Sequence, residues 1–177
     1  MADERRTVVV ADTSVLINLI HVSRLDLCGR LPGFAFVVPD HVQAEITRPD
    51  QRDALDRAVD AGVFQIVGVT DPQDITDFSE LTAHLGRGEA ACLVLAARNG
   101  WAIACDEKRR FRREALQRVG ATRILGTVEI YVAALQHGLL TVDQADADKA
   151  ILEGRRFRMP FVSFHEILPA AGSEESQ

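Results

Sequence analysis

The stretch TVVVADTSVLINL, from Thr7 to Leu19, decides the fold of this chain. It opens with a continuous β-branched run, which is typical of a strand buried on both faces, as in a parallel sheet. The run stops at Asp12, and apolar residues at helical spacing follow. The stretch therefore predicts a strand, an acidic turn and a helix, with Asp12 at the carboxyl end of the strand, where ligands gather in open α/β sheets. In a second interpretation, Asp12, Thr13 or Ser14 serves only as the N-cap of the helix.

A second apolar segment ends in acids in the same way. Residues 101–105 read WAIAC, and Asp106 and Glu107 follow them where a basic helix begins. Because the carboxyl ends of parallel strands meet at one edge of a sheet, two strands that end in acids predict one shared site.

Composition limits the class of protein. The chain has 177 residues, 47% of them hydrophobic and 26% charged, and a formal net charge of −6. These values are typical of one soluble globular domain and disfavour bulk electrostatic coating of nucleic acid. Because the sequence has no apolar run of about 18 residues, and charged residues crowd its N-terminus, we expect a cytoplasmic protein with no membrane segment.

The cysteines predict neither a disulfide framework nor a zinc site. Cys28, Cys92 and Cys105 are odd in number, widely spaced and set in apolar surroundings. Free cysteine behaves there as a small hydrophobic residue. No closely spaced Cys/His pair occurs, and zinc sites need such spacing.

Strand and helix patterns alternate from Thr7 to Leu125. They predict a three-layer α/β fold with a central parallel sheet of four or five strands flanked by helices, and a helical C-terminal extension. We expect a flexible N-terminus over residues 1–6, a single domain over 7–169 and a disordered tail over 170–177.

Several helix boundaries are also predicted. The first helix should continue through HVSRLDLCGRL until Pro32 and Gly33 end it. Asp40 and Gln43 form a capping-box pattern for the next helix. The segment TDPQDIT should be a surface connection before a short helix DFSELTAHL, and VSFHEIL should be a last short helix.

Two glutamates occupy comparable positions near strand ends. Glu45 lies about one turn inside the helix after the strand FAFVVP, and Glu89 lies in the first turn of the helix GEAACLVLAARNG. An exposed helical glutamate would explain Glu45, and the helix dipole would explain Glu89. However, Ala90, Ala91 and Ala96 predict close packing of the second helix, which would hold Glu89 at the edge of the core.

Four segments together resemble the PIN domains, in the branch allied to the toxin ribonucleases of bacterial toxin–antitoxin pairs. They are VVVADTSVLINL (8–19), VQAEI (42–46), GEAACLVLA (88–96) and IACDEKRRFRREALQRVGATRILGT (103–127). The last is similar to a PIN subfamily of uncharacterised bacterial and archaeal proteins in which an acidic pair precedes an arginine-rich helix. The resemblance covers most of the chain.

The resemblance implies a fold, an activity and a set of site residues. The fold would be PIN-like, and the activity would be metal-dependent endoribonuclease cleavage, as in the toxin of a toxin–antitoxin pair. Ser14 stands where the family has a small polar residue that hydrogen-bonds within the site. The chain departs from many PIN nucleases in having Arg109 and Arg110 where a further acid would stand. The catalytic and metal-binding residues would be Asp12, Glu45, Glu89 and Asp106, with Glu107 as an added metal ligand.

Elementary chemistry agrees with a metal site. Hard divalent ions such as Mg²⁺ and Mn²⁺ prefer oxygen ligands, and Mg²⁺ is commonly held by one or two carboxylates, waters and phosphate oxygens. Clustered carboxylates repel one another without a cation. Mg²⁺ or Mn²⁺ is therefore the expected cofactor, and the resemblance implies RNA as the substrate.

Two other classes of function stay open. A PIN scaffold could bind RNA or a protein partner with little or no catalysis, because fold does not fix function. A metal-dependent small-molecule phosphatase would also place acids at strand ends. The chain lacks the Asp-x-Asp pattern of the haloacid dehalogenase type, since Thr13 and Ser14 follow Asp12.

Two interaction surfaces are predicted. The helix after Asp106 carries a basic stripe that comprises Lys108, Arg109, Arg112 and Arg113. It would bind the RNA backbone. Otherwise it would bind an acidic antitoxin partner, pair with Glu107 and Glu114 on the same helix, or only face solvent. The C-terminal helices carry more apolar residues than are needed to cover one face of the sheet, and we expect a homodimer to form through them. These residues are Ile130, Tyr131, Leu139, Leu140, Phe157, Phe161 and Phe164.

Overall fold

The computed structural model describes residues 6–106 and 109–169. This part of the chain contains five strands, β1 to β5, with the bounds Thr7–Ala11, Phe34–Pro39, Gln65–Val67, Ala102–Ala104 and Ile124–Leu125. It contains nine α-helices, α1 to α9, with the bounds Thr13–His21, Asp26–Arg30, Asp40–Glu45, Pro49–Asp60, Pro72–Leu81, Arg87–Asn99, Arg110–Val119, Thr127–Gln136 and Val142–Gly154.

The strands form one parallel sheet in the order β3-β2-β1-β4-β5. The chain builds outward from β1 through β2 to β3, and then crosses to the other side of β1 to build β4 and β5. The order therefore reverses between β1 and β4, where Val10 pairs with Ile103. Open α/β sheets bind their ligands outside the carboxyl ends of the strands at such a switch point. The predicted three-layer α/β fold is confirmed, and its parallel sheet, expected to have four or five strands, has five.

Helix α6 packs against three strands of the sheet, namely β1, β2 and β4. Its small residues Ala90, Ala91 and Ala96 are fully buried, as the sequence predicted. Close approach is possible because these side chains are short. Gly100 caps the helix after Asn99, and its φ of 67° is left-handed, a conformation that glycine adopts without a Cβ clash.

The first predicted helix is interrupted, so its expected continuation to Pro32 is wrong. Helix α1 ends at His21, and Ser23 has a left-handed φ of 57°. The Arg24 amide then donates to the Leu19 carbonyl (2.8 Å), which closes the end of the helix before α2 begins. Local capping overrides the continuous apolar pattern here.

Three further boundaries differ from the prediction. Pro39, rather than Asp40, is the N-cap of α3, and the Gln43 side chain donates to Asp56 (3.2 Å) instead of completing a capping box. The segment TDPQDIT is partly helical, because Asp71 caps α5 through the Gln73 amide (2.9 Å) and Pro72 fits its first turn. The last predicted helix is a single 3-10 turn, Phe164–Glu166.

The apolar residues from which a homodimer was predicted belong to the core of the single chain. Four of them are buried, namely Ile130, Tyr131, Leu140 and Phe164, and Leu139, Phe157 and Phe161 are partly buried against the same core. The premise of the dimer prediction is therefore wrong. The predicted tail over 170–177 lies outside the described residues. None of the described helices is both long and apolar enough to cross a membrane.

Candidate active site

Asp12 lies beyond β1 at the switch point and is only 4% exposed. Its Oδ2 accepts hydrogen bonds from the Ser14 amide (3.1 Å) and the Ser14 hydroxyl (2.7 Å), so it also caps α1. Burial raises the pKa of Asp12 from 3.8 to about 6, and the negative charge of Glu89 adds to this, against the hydrogen bonds from Ser14. The cap and the site interpretations of Asp12 are thus compatible.

Ser14 connects the two strand ends. Its hydroxyl donates to Asp12 and accepts a hydrogen bond from the Asp106 amide (3.1 Å). One small side chain therefore fixes the spacing between the residues that follow β1 and β4. The resemblance to PIN domains implied a hydrogen-bonding polar residue at this position.

Asp106 is held by three donors. Its Oδ2 accepts from Asn18 Nδ2 (2.8 Å) and Thr127 Oγ1 (2.6 Å), and its Oδ1 accepts from the Thr127 amide (2.8 Å). Burial is the main cause that raises the pKa of Asp106, and the charge of Glu129 also raises it. The donors orient the carboxylate, while the burial leaves its negative charge poorly solvated.

Glu45 and Glu89 face each other across the turn before α6. Glu45, the last residue of α3, accepts from Thr13 Oγ1 (2.7 Å) and from the Gly88 amide (2.8 Å). Glu89 accepts from the Gly86 amide (3.0 Å). A Cβ atom added to Gly86 would lie 3.6 Å from Glu89 Oε2 and 3.9 Å from Glu45 Oε1. The two carboxylates therefore border one small space.

Electrostatics link these glutamates to Asp12. The Cys92 thiol lies under the site and has a raised pKa, first because it is buried, and then because negative groups surround it. These groups include Asp12, Glu45 and Glu89. The structure thus places three of the predicted acids around one buried thiol, and Ser14 links Asp106 to Asp12.

The described acids do not converge on one point. Within residues 6–106 and 109–169, no group of three or more His, Cys, Asp and Glu side chains is arranged to hold a metal ion. Glu107, the predicted additional ligand, lies outside the described residues. The donor chemistry does fit a hard divalent ion, because the carboxylates supply only oxygen and burial disfavours the charged form of Asp12. Glu89 accepts from a backbone amide through one oxygen. Both oxygens of Glu45 accept hydrogen bonds, Oε1 from the Gly88 amide and Oε2 from the Thr13 hydroxyl.

Three residues of the site were missed from the sequence. Asn18 is a nearly buried amide on an apolar helix, which is a usable signal, because a buried polar group needs a partner. Thr127 was predicted only as a helix start, although its buried hydroxyl contacts Asp106. Glu129 caps α8 through the Gly126 amide (2.7 Å), and only the folded chain shows that it approaches Asp106.

The predicted basic stripe is only partly helical. Helix α7 begins at Arg110, and Arg109 precedes it as the N-cap, so Arg109 does not continue the helical spacing of Arg112 and Arg113. Lys108 lies outside the described residues. Arg112 and Arg113 are both exposed on α7. Of these two, Arg112 lines a cavity of about 310 Å³ that adjoins Asp106.

A second cavity, of about 460 Å³, adjoins Glu45 on the β2 side of the site. His41 and Arg87 line it. His41 Nδ1 is 2.7 Å from Asp40 Oδ1, and its Nε2 is 3.4 Å from Arg87 Nη2. The Arg87 guanidinium lies over the Phe78 ring, 5.7 Å from its centroid. Arginines thus stand on both sides of the acids.

Comparison with known proteins supports one family. No curated protein matches the chain. Among solved structures, the chain is similar to the crystal structure of PAE2754 from Pyrobaculum aerophilum, with a TM-score of 0.46 and 15% identity, over 72% of this chain and 90% of that one. A family model described as PIN domain matches residues 8–173. The chain therefore belongs to the PIN-domain family.

Proposed function

We propose that this protein is a metal-dependent endoribonuclease that hydrolyses RNA phosphodiester bonds with Mg²⁺ or Mn²⁺. PIN domains are generally nucleases and typically use divalent metals, and membership of this family supports the proposal. The observation that carries it is the buried Asp12, which lies at the switch point of the sheet beside Glu45 and Glu89. The toxin role and an antitoxin partner follow from the resemblance alone and stay predictions.

Each residue has a task in the proposed reaction. Asp12, Glu45, Glu89 and Asp106 would hold the metal, and Asn18 and Thr127 would keep the Asp106 carboxylate oriented. A bound divalent ion would supply charge neutralisation at the scissile phosphate and lower the pKa of the attacking water. Arg87, in the cavity beside Glu45, would bind a flanking phosphate, since a guanidinium pairs with phosphate oxygens through two N–H groups. Lys108, Arg109 and Arg113 stay predicted RNA contacts.

Cleavage of a labelled single-stranded RNA by the purified chain tests the proposal. We expect cleavage with Mn²⁺, none with EDTA, and none by Asp12→Asn. Cleavage that persists in EDTA, or in Asp12→Asn, would contradict it. Binding of RNA without cleavage would instead favour the second candidate, a PIN-fold binding module. The absence of a converged metal geometry among the described acids is the observation that favours this candidate.

Substitutions at two glycines distinguish a loss of metal binding from a loss of the fold. A Cβ atom added to Gly88 would lie 2.6 Å from Glu45 Oε2, so Gly88→Ala should push this carboxylate aside. Alanine is the better helix former by about 1 kcal/mol, so the fold should not suffer. The control is Gly86→Ala, whose Cβ would make only ordinary contacts. We expect calorimetric titration to show weaker Mn²⁺ binding for Gly88→Ala than for Gly86→Ala, with no loss of melting temperature in Gly88→Ala. Equal Mn²⁺ affinities of the two variants would contradict the assignment of Glu45 as a metal ligand.

A further inference from the structure

The cavity of about 310 Å³ beside Asp106 has a position suited to substrate. It opens at the β5 side of the site, where Asp106 and Glu129 both line it. A phosphate held at the acids would therefore place a neighbouring nucleotide at its mouth. Its volume lies at the low end of the range of about 300–1,000 Å³ for ligand pockets. This size suits one base rather than a nucleic-acid helix.

The far wall of the cavity is aromatic and firmly supported. Phe157 and Phe161 line it. The Phe161 ring meets the Phe164 ring edge-on, with centroids 5.0 Å apart, and Phe164 stacks on Tyr131 at 5.4 Å. Asp146 fixes the same segment by accepting from the Phe164 amide (2.9 Å). A base that enters meets an aromatic surface already held in place, and stacking of bases on aromatic side chains contributes to the binding of single strands.

The polar groups of the cavity are available to a ligand. Arg112 and Arg158 line it, and in the described part of the chain neither lies within ion-pair distance of a carboxylate. Glu129 uses Oε2 to accept from the Gly126 amide. Among the described residues, no donor contacts its other oxygen, Oε1. The cavity thus offers cationic donors and a carboxylate acceptor.

This combination matches one base better than the others. Guanine carries two acceptors, O6 and N7, which arginine reads bidentately, and it also has an N2 amino donor next to its N1–H. A carboxylate accepts from that pair of donors, whereas adenine, cytosine and uracil lack two such neighbouring donors. We propose that the cavity binds a guanine base of the RNA beside the scissile phosphate, with Glu129 and the arginines as specificity-determining residues. This inference rests on the proposed nuclease function.

Mononucleotide binding tests the pocket without any need for catalysis. GMP, AMP, CMP and UMP are titrated into the ¹⁵N-labelled full chain in EDTA, and amide shifts are followed. We expect GMP to bind at least about fivefold more tightly than the other three, the low end for one bidentate base contact. The largest shifts should come from amides around Gly126 and Phe157. Equal affinities, preference for another base or shifts elsewhere would overturn the proposal.

Two variants identify the groups responsible. Glu129→Gln keeps an oxygen for the Gly126 amide but has only one acceptor, so its GMP affinity should fall to that of AMP. Arg112→Ala should also lower the GMP-to-AMP affinity ratio. The control Arg118→Ala, an exposed arginine on the same helix but outside the cavity, should keep that ratio. An unchanged ratio in Glu129→Gln would overturn the role of Glu129. So would loss of Mn²⁺ binding in that variant, because it would make Glu129 a metal ligand.

RNA cleavage distinguishes this inference from the function on which it rests. Cuts beside guanine, lost in Glu129→Gln, would support both. Selective GMP binding by a chain that cleaves no RNA would support guanine binding by the cavity and contradict the proposed nuclease activity. Cleavage with no base preference would leave the nuclease supported and overturn the pocket.

Discussion

At the scale of single residues, Asp12 carries an electrostatic cost in the metal-free protein. Its pKa lies at about 6 in the folded chain, against an ordinary value of 3.8. The folded state therefore binds more protons than the unfolded state between these values, and stability should fall as pH rises from about 4 to about 6. Above that window the ionised group costs on the order of 3 kcal/mol.

We predict that Asp12→Asn is more stable than the parent chain at pH 7.5 in EDTA, by up to about 3 kcal/mol. Asparagine is as good an N-cap as aspartate, so α1 should keep its start. The difference between the two proteins should shrink toward pH 4, where Asp12 is protonated. Urea unfolding at several pH values measures this. A variant that is less stable at pH 7.5, or a difference that does not change with pH, would contradict the burial of an uncompensated anion.

The sequence could predict the acids of the site but not the groups that hold them. Asp12 and Asp106 follow buried strands, and the carboxyl ends of parallel strands share one edge, so their proximity follows from the topology. Glu129 cannot be found in this way, because it lies in a helix start like many glutamates and only the β4–β5 pairing brings it to Asp106. The hydrogen bonds from Thr127 to Asp106 likewise form only in the folded chain and could not be predicted from the sequence.

At the scale of elements, buried segments were predictable and polar boundaries were not. Strands β1, β2 and β4 and helix α6 are marked by continuous apolar or small residues, and most of these residues are buried. The break between α1 and α2 has no such mark. There the apolar pattern continues through Val22 and Leu25, while a left-handed serine ends the helix. Similarly, Asp71 and Pro72 start α5 in a stretch whose composition is that of a loop.

Ser23 provides an element-scale prediction. Its φ of 57° is left-handed, and it is exposed, so its side chain adds strain without burial. We expect Ser23→Gly to raise the free energy of unfolding by about 0.5–1 kcal/mol, since glycine adopts this conformation without a Cβ clash. The matched control is Ser79→Gly, an exposed serine within α5, which should lower it by about 0.5 kcal/mol. Thermal unfolding of both variants measures these changes in stability. Shifts of the same sign would contradict a strained helix end at Ser23.

At the scale of the whole molecule, one buried carboxylate connects three parts of the chain. Asp148 of α9 accepts from Arg24 Nε (2.7 Å), which lies between α1 and α2, and from the Tyr131 hydroxyl (2.9 Å) of α8. Helix α1 carries Ser14, which contacts Asp12, and α8 carries Thr127, which contacts Asp106. Asp148 therefore links the elements that orient the two aspartates of the site. The C-terminal helices thus belong to the same framework as the site.

Asp148→Ala should therefore weaken both the fold and the site. Removing one partner from a buried pair leaves the other charge uncompensated, and because Arg24 is partly exposed we expect a loss of about 2–4 kcal/mol. Tyr131→Phe removes one hydrogen bond and should lose only about 1 kcal/mol. Asp26→Asn breaks an exposed ion pair with Arg30 and should change little. Urea unfolding ranks the free energies of unfolding of the three variants.

The effect on the site is measured separately. Calorimetry below the unfolding transition should show weaker Mn²⁺ binding in Asp148→Ala than in Asp26→Asn, because α1 and α8 lose their common contact with Asp148. Equal Mn²⁺ affinity in a destabilised Asp148→Ala would show that this framework supports the fold alone.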